Sequence, residues 1–127
     1  MNDKPLSVLL IDDDPETRNI VQIVLNHHHL QLNMVEDAES AFVYLADHHP
    51  DVIILDIFLP GTDGYQVFTQ IRRHDLAPSS RIIATTSYYT DETPSEVIER
   101  GFNGYLPKPI NTTTLVPYIE GIMRGIQ

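Results

Sequence analysis

The stretch DVIILDIFLPGTDGY, residues 51–65, sets four apolar residues, Val52 to Leu55, directly against an aspartate and then closes on a Pro-Gly turn. A short apolar run bounded by polar residues reads as a strand buried on both faces. The carboxylate at its end, Asp56, is costly to bury unless something pairs with it, and nothing in the stretch is expected to do so. Asp56 therefore either caps a turn or is held at the mouth of a site that needs its charge.

Outward from this strand, β-like runs alternate with amphipathic stretches. SVLLI (7–11) is another apolar strand. Asp14-Pro15 supplies an N-cap and a proline at N1 for a first helix. Its expected apolar stripe is Ile20, Ile23 and Val24, with His27 or His28. LQLNMV (30–35) is a weaker strand, and a second helix runs from Asp37 through Ala41, Tyr44 and Leu45. Beyond Asp63-Gly64, a turn and cap, a third helix is expected over Tyr65–Arg73, with Val67, Phe68 and Ile71 inward. RIIATTS (81–87) is the fourth strand. A capping box follows, with Thr93 as cap, Pro94 at N1 and Glu96 at N3; Gly101 is the C′ residue. GYLPKP (104–109) is the fifth strand and NTTTLVPYIEGIM (111–123) the fifth helix. Pro117 would break a helix that began at Asn111, so a start near Thr114 is expected.

Five β/α units with short loops imply a parallel sheet with helices on both faces. The chain has 127 residues, which suits one domain over 1–127 with a short polar tail at 1–5. Its net charge is −10 and its pI about 4.7. That field repels nucleic acid and anionic lipid, so contact with neither is expected. There are no cysteines. No apolar run approaches the ~18 residues of a membrane span, and the start does not resemble a signal peptide, so a cytoplasmic location is expected. HHH at 27–29 and HH at 48–49 fall at helix ends and read as solvated termini.

Doubly wound folds place their chemistry at the carboxyl ends of the strands. Those ends carry Asp12-Asp13-Asp14, Asp56, Thr85-Thr86-Ser87 and Lys108-Pro109. Converging carboxylates repel by about 1–4 kcal/mol per close pair. Either one holds a proton or a hard divalent cation sits among them. Oxygen donors alone point to Mg²⁺ or Mn²⁺, and Mg²⁺ in turn points to a phosphate. Asp56 is then the nucleophile that becomes an acyl phosphate, Lys108 offsets charge on the transferring group, and Thr86 hydrogen-bonds the phosphoryl group. For Asp14, helix capping is an equal alternative.

The segments LLIDDDPETR, LDIFLPGTDGY, ATTS and GYLPKPI resemble the receiver domain of two-component response regulators, the chemotaxis regulators among them, over nearly the whole chain. The resemblance implies a flavodoxin-like (βα)5 fold with sheet order 2-1-3-4-5. It implies that Asp56 takes a phosphoryl group from a histidine kinase or histidine phosphotransfer protein, the only reaction being the domain's own phosphorylation and dephosphorylation. Asp13 and Asp56 would bind the metal directly, Phe58 through its backbone carbonyl, and Asp12 through water. Thr86 would be the switch hydroxyl and Tyr105 the switch aromatic, and the Lys108–Pro109 peptide would be cis. Phe58 and Tyr88 occupy positions flanking the path of the hydrolytic water. The readout face would be the fourth helix, fifth strand and fifth helix, with Ile98, Tyr105, Val116 and Ile119 as contacts for a downstream protein, a fused output domain or a second copy. Gly104, and the lack of a basic residue in the fifth helix before Arg124, depart from receivers joined to winged-helix DNA-binding domains.

Three other classes fit less well. A phosphohydrolase working through an aspartyl phosphate would carry a DxDx(T/V) signature after the first strand, which Asp12, Asp14 and Glu16 do not make. A receiver-like binding module that takes no phosphate usually lacks the acceptor or the lysine, and both are present. A flavin binder would set no acidic loop beside its phosphate.

Overall fold

The structure is a computed structural model that describes residues 5–125. The tail expected at 1–5 lies outside the described residues except for Pro5. Seven strands and five helices follow in the order β1 (Ser7–Ile11), α1 (Pro15–His27), β2 (Gln31–Val35), α2 (Ala38–Asp47), β3 (Val52–Asp56), β4 (Phe58–Leu59), β5 (Thr62–Asp63), α3 (Gly64–Arg73), β6 (Arg81–Thr86), α4 (Thr93–Glu99), β7 (Gly104–Pro107) and α5 (Leu115–Met123). The main sheet is parallel, in the order β2-β1-β3-β6-β7. With β6 and β7 as its fourth and fifth strands, this is the 2-1-3-4-5 order of the flavodoxin-like fold.

Alternation along the strands divides the core in two. Leu9, Ile11, Ile53, Leu55 and Ile82 meet the side chains of α2, α3 and α4. Val8, Leu10, Ile54 and Ile83 meet those of α1 and α5. β3 is buried along its whole length, as its unbroken apolar run requires. Each fully buried Leu or Ile contributes about 1.5–3 kcal/mol.

Three aspartates cap helices. Asp14 accepts from Glu16 N–H, Asp37 from Ser40 N–H and Asp63 from Tyr65 N–H. α5 does start late: Thr114 is its N-cap, which leaves Pro117 in the first turn. There the backbone N–H groups have no intrahelical acceptor, so proline removes nothing. The histidine runs lie at the C-terminal ends of α1 and α2 and are exposed.

Several sequence expectations are corrected. The buried face of α1 is Thr17, Val21, Val24 and Leu25, whereas Ile23 is exposed. Period 3.6 admits both stripes, and only packing against the sheet selects one. The capping box at Thr93 does not form. Its hydroxyl turns back to accept the Thr90 N–H at 2.9 Å, and the helix is preceded by Glu92 with no side-chain cap. Val116 and Ile119 lie on the buried face of α5, against the sheet, and cannot be readout contacts. The loop after β3 contains a two-residue antiparallel ribbon, β4 with β5. α3 begins at Gly64 rather than Tyr65.

Candidate functional site

The ends of β1, β3 and β7 bring Asp12, Asp13, Asp56 and Lys108 to one rim of the sheet. Asp12 is fully buried, and Asp56 and Lys108 nearly so. Buried charges persist only when paired. The Lys108 ammonium donates to Asp56 Oδ2 at 3.0 Å and to Asp12 Oδ1 at 3.2 Å, and lies 3.7 Å from Asp14 Oδ2. The other Asp56 oxygen accepts the Phe58 N–H at 2.8 Å. A partner for Asp56 thus comes from its own stretch, through the backbone, where the sequence suggests none. The carboxylate is fixed at both oxygens.

Asp12 carries the electrostatic strain. Burial pushes its carboxyl up to about 6, opposed by the Asp14 N–H and reinforced by the charge of Asp56, while Lys108 pulls it down. Burial alone would lower Lys108, but hydrogen bonds and charge from Asp12 and Asp56 outweigh it and hold the ammonium above its ordinary value. Asp14 both caps α1 and faces Lys108. The Thr17 hydroxyl, donating to it at 2.7 Å, is the main reason its carboxyl sits below the usual range. Arg18 braces the acidic loop by donating to the carbonyls of Asp12 and Val35.

The donor set fits a hard divalent cation. Carboxylate oxygens of Asp12, Asp13 and Asp56 lie within 4.8 Å of one another. Asp12 Oδ2 is buried and receives no aligned hydrogen bond, although Lys108 is 3.0 Å away. An all-oxygen cluster in which one buried carboxylate oxygen accepts no hydrogen bond suits Mg²⁺ or Mn²⁺.

A cavity of about 450 Å³ opens over Asp56 and Lys108, walled by Asp13, Ser87, Phe58 and Tyr88. The rings of Phe58 and Tyr88 stand edge-to-face across its mouth, 5.1 Å between centroids. Thr86 lies one residue beyond Thr85, the register partner of Asp56. Its buried hydroxyl accepts the Tyr88 N–H at 3.0 Å, and its carbonyl accepts the Lys108 N–H. The hydroxyl is therefore committed to the loop after β6 rather than to the acidic cluster. Tyr105, on β7, packs 6.4 Å from Tyr89 with its hydroxyl buried. The Lys108–Pro109 peptide is cis.

Sequence reasoning missed Gly64. A Cβ there would collide with the backbone of Ile57 and the Asp56 carbonyl, and its N–H donates to Ile57 O at 2.9 Å. The glycine lets the start of α3 rest directly on the Asp56 loop. A glycine following a capping aspartate was the available signal, but it reads equally well as a turn.

The parallel doubly wound sheet thus gathers its acids and one lysine at the carboxyl edge of its strands. The family model for the response regulator receiver domain matches residues 8–120, and the chain belongs to that family. Among relatives, the transcriptional regulatory protein AfsQ1 of Streptomyces coelicolor is 32% identical over 118 residues, covering 93% of this chain and 51% of that protein. A LuxR-family two-component response regulator from Aurantimonas superposes with a TM-score of 0.83 at 25% identity, covering 98% of this chain and 89% of the other. The chemotaxis response regulator CheY4 of Vibrio cholerae shares the fold, with a TM-score of 0.84 at 24% identity over 94% and 99% of the two chains. The chain spans about half the length of the transcriptional regulators it matches. No helix among the described residues is long and apolar enough to cross a membrane.

Proposed function

We propose that this chain is a phosphoacceptor switch in which Asp56 takes a phosphoryl group from the phosphohistidine of a histidine kinase or phosphotransfer protein. One observation carries the reading: Lys108 Nζ and the Phe58 amide hold the two oxygens of Asp56 at hydrogen-bond distance beneath an open cavity. A carboxylate oxygen attacks phosphorus, the P–N bond breaks, and its electron pair stays on the imidazole, which takes a proton from water. Lys108 offsets the negative charge gathering on the phosphoryl oxygens. Asp13, Asp56 and the Phe58 carbonyl, with Asp12 through water, would hold a Mg²⁺ or Mn²⁺, which would supply further positive charge to those oxygens.

After transfer, the Thr86 hydroxyl leaves the Tyr88 amide for a phosphoryl oxygen and draws the loop after β6 with it. Tyr105, packed against Tyr89 of that loop, responds. The face of α4, β7 and α5 thereby changes for a downstream protein, an output domain or a second copy. Each ~1.4 kcal/mol of preference between the two arrangements moves their ratio tenfold.

Incubation with acetyl phosphate and Mg²⁺, followed by intact-mass measurement, tests the reading. One added phosphoryl group is expected, absent in Asp56→Asn and after chelation of the metal. A mass that never changes would overturn it, and sustained turnover of p-nitrophenyl phosphate would favour a phosphohydrolase.

A further inference from the structure

The chain has 18 acidic and 8 basic residues besides histidine, yet among the described residues the only ion pairs are those of Lys108. No described arginine pairs with a carboxylate. Three of them converge on a single shallow groove between α3 and α4: Arg72 and Arg73 in the last turn of α3, and Arg100 at the end of α4. The groove measures about 520 Å³ and is lined also by Thr69, Gly101 and the largely buried Phe68.

Two of these guanidinium groups are held in place, and none of the three forms an ion pair among the described residues. Arg100 Cζ sits 3.9 Å over the ring of Tyr65. Arg72 Cζ lies 5.6 Å over Phe68 and donates to the carbonyls of Ala77 and Ser80 at 2.8 and 3.1 Å. Burial draws Arg72 below its ordinary value. Arg73 is exposed. Helix C-termini favour cations, which accounts for the place of each arginine in its own helix. It does not account for three like charges gathered on one groove in a chain of net charge −10.

We propose that the α3/α4 groove docks an acidic segment of a partner protein. Its Asp or Glu carboxylates engage Arg73 and Arg100 through paired N–H donors. The chain's net charge of −10 repels a second copy and any strongly acidic body, so the acidic segment must be short and local to the arginines. The groove is separate from the Asp56 cavity, and this inference does not depend on phosphoryl transfer.

The test uses the full chain and a fluorescein-labelled peptide of alternating glutamate and leucine, with a serine-for-glutamate control. Anisotropy reports binding, and arginine Nε–Hε resonances report its place. Arg72 is left intact because it holds the backbone before β6. The glutamate peptide is expected to bind, to shift the Arg73 and Arg100 signals, and to bind about tenfold more weakly to Arg73→Gln/Arg100→Gln, whose phosphoryl uptake is unchanged. Equal binding by the double variant, or none by the native chain, would overturn the proposal. So would equal shifts with inorganic phosphate alone, which would mark a small-anion site. A concentration-dependent dimer lost in the variant would name a second copy as the occupant and overturn it as well.

Discussion

Tyr105 buries a hydroxyl that has no partner among the described residues. An unsatisfied buried donor is a standing penalty of about 1–3 kcal/mol. Tyr105→Phe is therefore expected to leave the fold equally or more stable by denaturant titration. Burial, then the neighbouring Tyr89 and Tyr65, push the phenol up to about 12. Its unfolded value is about 10, so between the two the native state keeps a proton that the unfolded state has lost, and stability falls as pH rises. The advantage of Tyr105→Phe should thus be larger at about pH 11 than at about pH 9. At the cavity mouth, Phe58 and Tyr88 stand edge-to-face, and we propose that they hinder the hydrolytic water. Phe58→Asn with Tyr88→Glu should shorten the lifetime of the phosphorylated protein, followed by intact mass, and an unchanged lifetime would reject that role for the rings.

At the scale of elements, the junction between β3 and α3 is the most constrained. Gly64→Ala places a methyl group against backbone, which cannot rotate away, and overpacking of this kind costs about 1–3 kcal/mol. The expected result is a lower denaturation midpoint together with slower phosphoryl uptake, because the displaced atoms include the Asp56 carbonyl. Loss of stability with unchanged uptake would separate the helix start from the site. Strands and helices were legible in the sequence wherever one period dominated: the apolar run of β3, the Asp-Pro start of α1, and the late start that Pro117 imposes on α5. What was not legible depends on neighbours distant in sequence. The choice between Ile23 and Val21 on α1 is made by the sheet, the turning of the Thr93 hydroxyl by Thr90, and the burial of Val116 and Ile119 by the strands beneath them. Asp12, Asp13, Asp56 and Lys108 could be gathered in advance because strand ends share one rim. The commitment of the Thr86 hydroxyl to Tyr88 could not, because it depends on how a loop folds back.

For the whole molecule, charge is the governing quantity. Acids outnumber bases, and the buried pair Asp12 and Asp56 share one ammonium. A divalent cation that binds only the folded state should raise its stability by about 2.7 kcal/mol at a hundredfold excess over Kd. Melting curves with increasing Mg²⁺ should show the rise in the native chain and a blunted one in Asp13→Asn. A rise of equal size in both would remove the acidic cluster as its source.

One arrangement at the outer border of the sheet has a consequence beyond stability. The Tyr118 hydroxyl occupies the space a side chain at Gly104 would fill, and it accepts the Tyr105 N–H at 2.8 Å. Borders of sheets are where chains recruit one another into swapped or fibrous assemblies, by offering rows of open amides. Here a phenol from α5 has already claimed one of those amides. An incoming strand would have to dislodge a helix before it could lengthen the sheet.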